Sequence, residues 1–235
     1  MEPRIWQVLV ADLRSSRRIP DRQRPRIDKA LQRAAARVVH RYGDHFRLKP
    51  QVLKGDELQA VLRADAPALH VVTYLRAQLA IAAGIRVELR AGLGRGEIRR
   101  LSTSGPFASE GVAFHRARTA LEQAKQSGGD RLTAWVSGDP FFDELAATVL
   151  ALTDAFASRW TVPQWEAIAG RIEEKALQAI ARDAGVGFQS VSKRLRAASW
   201  NEVGQGYALL EKIATVVGSG PRAGAARATT SPSRG

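Results

Sequence analysis

The chain contains no cysteine, so disulfides and thiolate metal sites are excluded, and the composition fits a reducing compartment. Histidine is scarce, and the four present, His40, His45, His70 and His115, match no metal-ligand spacing. Neither a Gly-x-Ser-x-Gly elbow nor a Walker-type loop occurs. Long apolar runs are missing too. Nothing has the length of a membrane span, and Arg4 and Asp12 bracket a run too short for a leader. The expectation is a cytoplasmic protein with no membrane partner. Acidic residues are outnumbered, 23 Asp and Glu against 36 Lys and Arg, for a net charge of +13. A polyanionic partner would account for that excess. GC-rich coding would also do so, because arginine outnumbers lysine 29 to 7 and alanine is abundant.

What is present is enough for a packed core: 235 residues, 45% of them hydrophobic, in one large domain or two small ones. Residues 1–138 carry a net charge of +12 and residues 139–217 a net charge of −2. The chain opens with the apolar run Ile5–Ala11, read as a buried strand that ends at Asp12. An arginine- and proline-rich loop follows, then Ile27, Leu31, Ala34, Val38 and Tyr42 at helical spacing up to Gly43. A second helix is expected from Pro67 to Ala83, with Gly84 ending it. Ile85, Val87, Leu89, Ala91 and Leu93 alternate with polar residues or glycine, which is strand period, and Gly92, Gly94 and Gly96 read as the strand's end and its turn, small enough for a backbone or ligand to approach closely. A third helix from about Gly111 to Ala124 and a short strand at Leu132–Val136 complete a βαββαββαβ order. That order predicts an α+β sandwich, with helices on one face of a mostly antiparallel sheet.

Between two apolar stretches lies Lys54-Gly55-Asp56-Glu57, read as a hairpin turn, since glycine accepts positive φ and Asp tolerates turn geometry. If the first strand runs beside this hairpin, Asp12 and Asp56 face each other. Two facing carboxylates suit a hard cation such as Mg²⁺, with phosphates supplying the remaining oxygens. The alternative is a strand-end cap at Asp12 and a solvated hairpin edge at Glu57.

Val8-Leu9-Val10-Ala11-Asp12-Leu13 resembles the first strand of class III nucleotidyl cyclases, Lys54-Gly55-Asp56 their metal-binding hairpin, and Leu89–Ile98 their glycine-rich strand-turn-strand. The order of motifs is still more similar to the SatD family, nearly end to end: Asp12…Ser16-Arg17, Gly55–Gln59, Gly92–Ile98 and Gly111–Arg118. The resemblance implies a cyclase-like, ferredoxin-like sandwich. It also implies metal ligation by Asp12 and Asp56, and ligand contacts from Ser16, Arg17, Glu57, Arg116 and Arg118, with Mg²⁺ and a nucleotide as the cofactor pair. The transition-state groups of working cyclases are not kept. Val52 stands at the place of their base-reading lysine, His115 at that of an asparagine and Thr119 at that of an arginine, with Arg118 one residue off. No catalytic residue is therefore assigned.

Residues 139–217 read as a linker helix and a helix-turn-helix domain. Asp139-Pro140 starts a helix expected to bury Leu145, Val149, Leu152 and Phe156 and to serve as a rigid linker or a dimer surface. Thr161 and Gln164 form a capping box ahead of Trp165, Ile168 and Ile172. Ala181, Gly185 and Val191 allow two short helices to cross around a left-handed turn. Gln189, Ser190, Ser192, Lys193, Arg194 and Arg196 on the second helix suit base edges and phosphates of double-stranded DNA. The stretch Phe188–Arg196 also resembles recognition helices of sigma-region-4-like and SatD-type proteins. Residues 218–235 have no large apolar side chain, so a disordered basic tail is expected. The composite expectation is a DNA-binding transcriptional regulator with a nucleotide- or metal-sensing N-terminal domain, open to a homodimer. The alternatives are a metal-dependent nucleotidyl cyclase or transferase and a protein-interaction module.

Overall fold

The computed structural model describes residues 5–14, 20, 22–53, 57–126 and 130–217. Its centre is β1 (Ile5–Leu13), paired antiparallel with β3 (Glu57–Arg63) on one side and β4 (Leu89–Arg100) on the other. β2 (Phe46–Val52) lies outside β3, β5 (Glu110–Gly111) pairs the far part of β4, and β6 (Thr133–Val136) runs parallel to its near part. The result is a mixed α/β architecture on a mostly antiparallel sheet.

Strand alternation explains the layers. Leu9, Ala11 and Leu13 point to the face covered by α1 (Arg24–Tyr42) and α2 (Ala68–Ala83), while Val8 and Val10 point to α3 (Val112–Gln126). The βαββαββαβ order is the expected one, but the helices divide between the two faces instead of covering one. The helical spacing in α1 does bury Ile27, Leu31, Ala34, Val38 and Tyr42. Gly84 closes α2 at φ 63.

The glycine triplet departs from its reading as a turn but keeps the expected close approach. Gly92, Gly94 and Gly96 lie inside a continuous β4 and do not form a turn. A Cβ at Gly92 would overlap the Ala117 carbonyl oxygen and the Leu121 nitrogen, and one at Gly94 would overlap Ala113 O and Ala117 N. The missing side chains let the backbone of α3 lie against the sheet.

After β6 the chain is helical: α4 (Pro140–Ala157), α5 (Val162–Ile172), α6 (Leu177–Asp183), α7 (Phe188–Ala197) and α8 (Trp200–Val217). Asp139 caps α4 by accepting from the Phe142 N–H at 2.8 Å, and Gln164 accepts from the Thr161 N–H at 2.8 Å to open α5. The buried face of α4 is the expected one only in part: Leu145 and Val149 pack against the core. Phe142, Ala146, Leu150, Thr153 and Ala157 face inward, whereas Leu152 is 64% and Phe156 48% exposed. Both stripes have helical spacing. The one rich in small residues is buried because α4 packs close to β6 and α8.

One buried apolar cluster runs from Leu9 and Leu31 through Leu75 to Trp165, Tyr207 and Leu210, across the 138/139 boundary. A buried polar network ties the same layers. Arg76 on α2 donates to the carbonyls of Leu89 and Leu132 and to Thr133 Oγ1, and Asp154 on α4 accepts from the N–H groups of Leu132 and Thr133. Among the described residues, no helix is long and apolar enough to cross a membrane.

Candidate functional site

The first candidate is the end of the sheet where β1 stops. Strand register sets Asp12 directly opposite Glu57 on β3 and Arg90 on β4, so all three side chains rise from the α3 face. The last turn of α3 adds Lys125, whose Nζ is 3.1 Å from Asp12 Oδ2 and 3.2 Å from Glu122 Oε1. Burial works against the Lys125 charge, but its bonds to Asp12 and Glu122 outweigh that and lift its pKa above the ordinary lysine value. Behind this row Gln59 is fully buried. It donates to Glu57 at 2.7 Å, while its own Oε1 and the Arg90 Nε are buried with no partner among the described residues.

The expected site residues divide as follows. Asp12 and Glu57 are brought side by side. Asp56, Ser16 and Arg17 lie outside the described residues. Arg116 donates to the Arg95 carbonyl at 2.8 Å, and Gly138 packs against its guanidinium. Arg95 and Arg90 are five positions apart on β4, so Arg116 is anchored about 16 Å along the strand from Asp12. Arg118 is exposed on α3, as are His115 and Thr119. Val52 packs against the main core cluster. Among the described residues no group of three His, Asp or Glu side chains could hold a metal ion. A divalent cation at Asp12 would have to displace Lys125, and Glu57 is the carboxylate that the described residues set beside it. Lys125, Arg90 and Gln59 were not foreseen from the sequence. Helical periodicity places Lys125 on α3 but says nothing about where that helix ends relative to β1.

The second candidate is the α6–α7 pair. Ile180, Ala181 and Val191 are buried in one small cluster, and Gly185 makes the turn at φ 64. On α7, Gln189, Ser190, Lys193 and Arg196 are exposed. Among the described residues their side chains have no hydrogen-bond or ion-pair partner. Ser192 and Arg194 are half-buried, and Arg194 reaches Glu166 on α5 at 3.5 Å.

The family model described as SatD family matches residues 6–201. The chain belongs to the SatD family. No curated protein matches this SatD protein. Among solved structures it is similar to a bacterial light-regulated adenylyl cyclase, at 11% identity and a TM-score of 0.40 over 54% of this chain and 73% of that one. It is also similar to the catalytic core of a rhodopsin-guanylyl cyclase with converted specificity, at 16% identity and a TM-score of 0.39 over 49% and 70% of the two chains. A third is the monomeric guanylyl cyclase domain of the RhoGC fusion protein from the aquatic fungus Blastocladiella emersonii, at 14% identity and a TM-score of 0.37 over 49% and 74%. At such identities and scores, the substrates, metals and assemblies of those cyclases are not carried over to the SatD chain.

Proposed function

We propose that this SatD protein binds double-stranded DNA through α7 and that its N-terminal sandwich senses a phosphate-bearing ligand. The observation that supports the DNA contact is the row Gln189, Lys193 and Arg196. They stand at helical spacing on one exposed face, on a helix crossed by α6 through a left-handed glycine turn. Amide and cationic side chains in that arrangement suit base edges and phosphates. The family description and the neighbouring structures do not mention DNA, so the reading stands on this geometry alone. Because residues 139–217 carry a net charge of −2, affinity per chain is modest and draws on the basic residues of 1–138. The test is an anisotropy titration of duplex DNA at several salt concentrations. Lys193→Ala with Arg196→Ala is expected to weaken binding and to reduce the log–log salt slope by about 1.8, at ~0.9 for each phosphate that is no longer neutralised. An unchanged slope removes α7 from the interface.

A second reading, metal-dependent nucleotidyl chemistry at the end of β1, is favoured by the facing pair Asp12 and Glu57 and by the buried Arg90 Nε, which lacks a partner among the described residues. A phosphate oxygen could satisfy that nitrogen, and Asp12 with Asp56 would hold Mg²⁺. On this reading a nucleoside triphosphate with Mg²⁺ raises the melting temperature, and Asp12→Asn or Asp56→Asn abolishes the shift while duplex binding is retained. Consumption of the triphosphate would mark an enzyme. A shift without turnover would mark a sensor, and no shift with any triphosphate would leave the sandwich as a scaffold.

A further inference from the structure

Among the described residues, two that are not glycine take left-handed backbone, Glu174 at φ 61 and Ser199 at φ 49. A Cβ makes that conformation unfavourable, and such residues gather at functional positions. Glu174 lines a cavity of about 500 Å³, and Ser199 immediately precedes Trp200, which lines it too. Glu174 closes α5, with its own N–H bonded to the Arg171 carbonyl and the Lys175 N–H bonded to that of Gly170. Glycine is the usual residue at such a closure. The glutamate instead brings a carboxylate onto Arg41, where Nη2 donates to Oε1 at 2.8 Å, and its side chain is 83% exposed.

The cavity sets two guanidinium groups against two carboxylates, Glu174 and Glu211. Arg41 and Arg171 are its two guanidinium groups, Tyr42 and Trp200 supply aromatic surface, and Pro67 and Ile172 add apolar wall. Its other carboxylate is fully engaged: Glu211 accepts from the N–H groups of Leu69 and His70 and lies 2.8 Å from His70 Nδ1. Glu174 is the weakly held one. Its exposed pair with Arg41 is screened by water and readily exchanged.

We infer that this cavity binds a small anion with a planar ring, an aromatic carboxylate in the simplest case, whose carboxylate replaces that of Glu174 on Arg41. The site also bears on the helix pair. Glu174 before α6 and Trp200 after α7 both line the cavity, so its wall holds the chain on either side of the pair. Occupancy then restrains the orientation of α7. This second step rests on the DNA reading of α7, whereas the binding itself does not.

The probe is benzoate, titrated into the full chain by calorimetry, with inorganic phosphate (anion without ring) and benzyl alcohol (ring without anion) as comparisons. Benzoate is expected to bind at least ten times more tightly than either. Glu174→Gly removes the competing carboxylate and the left-handed strain, so it should raise the melting temperature and tighten benzoate binding severalfold. Arg41→Gln should weaken benzoate at least tenfold with its far-ultraviolet spectrum unchanged. No saturable benzoate binding in either the unmodified chain or Glu174→Gly overturns the site. So does equal binding by Arg41→Gln, or phosphate binding as tightly as benzoate. Duplex anisotropy with and without benzoate then separates the two claims. Benzoate binding without any duplex binding sinks the α7 reading and keeps the site. Duplex binding without benzoate binding does the reverse.

Discussion

The glycines of β4 offer the sharpest test of how the sheet and α3 are built. A Cβ on Gly94 would overlap Ala113 O and Ala117 N and stand 2.8 Å from Ala117 Cα. Contact between such atoms is ordinarily about 3.5–4.0 Å, so Gly94→Ala asks α3 to retreat by roughly 1 Å. The helix cannot tilt around the obstacle, because Gly92 holds it in the same way one turn further on, against Ala117 O and Leu121 N. A gap of roughly 1 Å forfeits about a quarter to a half of the dispersion attraction along the buried face of α3, which includes Phe114, Ala117 and Leu121. That places Gly94→Ala at the upper end of the overpacking range, about 3 kcal/mol. For a domain of this size it corresponds to a fall of about 6–12 °C in melting temperature. Gly96→Ala is the control, since its Cβ would meet the Arg116 guanidinium at 3.1 Å, Val112 Cγ1 at 3.2 Å and Ala113 N at 3.3 Å, each relieved by a shift of a few tenths of an ångström. Its expected cost is under about 1 kcal/mol. The assay is thermal melting by circular dichroism, confirmed by urea denaturation. If Gly94→Ala melts within about 2 °C of the unmodified chain, or no lower than Gly96→Ala, the close approach of α3 is not what the glycines are for.

Gly185→Val should cost about 1–2 kcal/mol and no more, because the strain is confined to the backbone at φ 64 and nothing lies within 4 Å of the added Cβ; a melting temperature lowered by a few degrees, with α7 still folded by amide exchange, is the expected result. Tyr74→Phe should act through pH. Burial raises the Glu173 pKa, but the Tyr74 hydroxyl at 2.5 Å and the Lys175 ammonium outweigh it, and the folded value lies below the ordinary one. The stabilisation is therefore present above the ordinary glutamate pKa and lost as pH falls through the folded value, so the melting gap between the two proteins should be wide at about pH 7 and narrow near about pH 3. Leu152→Glu and Phe156→Glu should leave the melting temperature of a dilute monomer unchanged, because both side chains are exposed on α4; a concentration-dependent loss would reveal a self-association surface there.

Much of the fold was readable because it is written in local periods. The apolar run of β1, the 3.6-residue spacing of α1, the Asp139 cap and the glycine turns at Gly84 and Gly185 all act within a few residues, and each holds in the structure. Family membership was equally legible, since it follows from motif order. Wherever two elements compete for one surface, local pattern stops deciding. The stripes of α4 are equally apolar by spacing, and only packing against β6 and α8 selects Phe142, Ala146 and Leu150 over Leu152 and Phe156. The glycines of β4 are ambiguous between a turn and a close approach until α3 lies on them. The partners of Asp12 depend on strand register and on where α3 ends, which brings Lys125 and Arg90 to it from distant parts of the chain. The cavity beside Trp200 is assembled from α1, α2, α5 and α8, and no spacing in the sequence announces it. Secondary structure follows from neighbours in the chain, whereas a site made by side chains from four elements exists only once the shared core has fixed their relative positions.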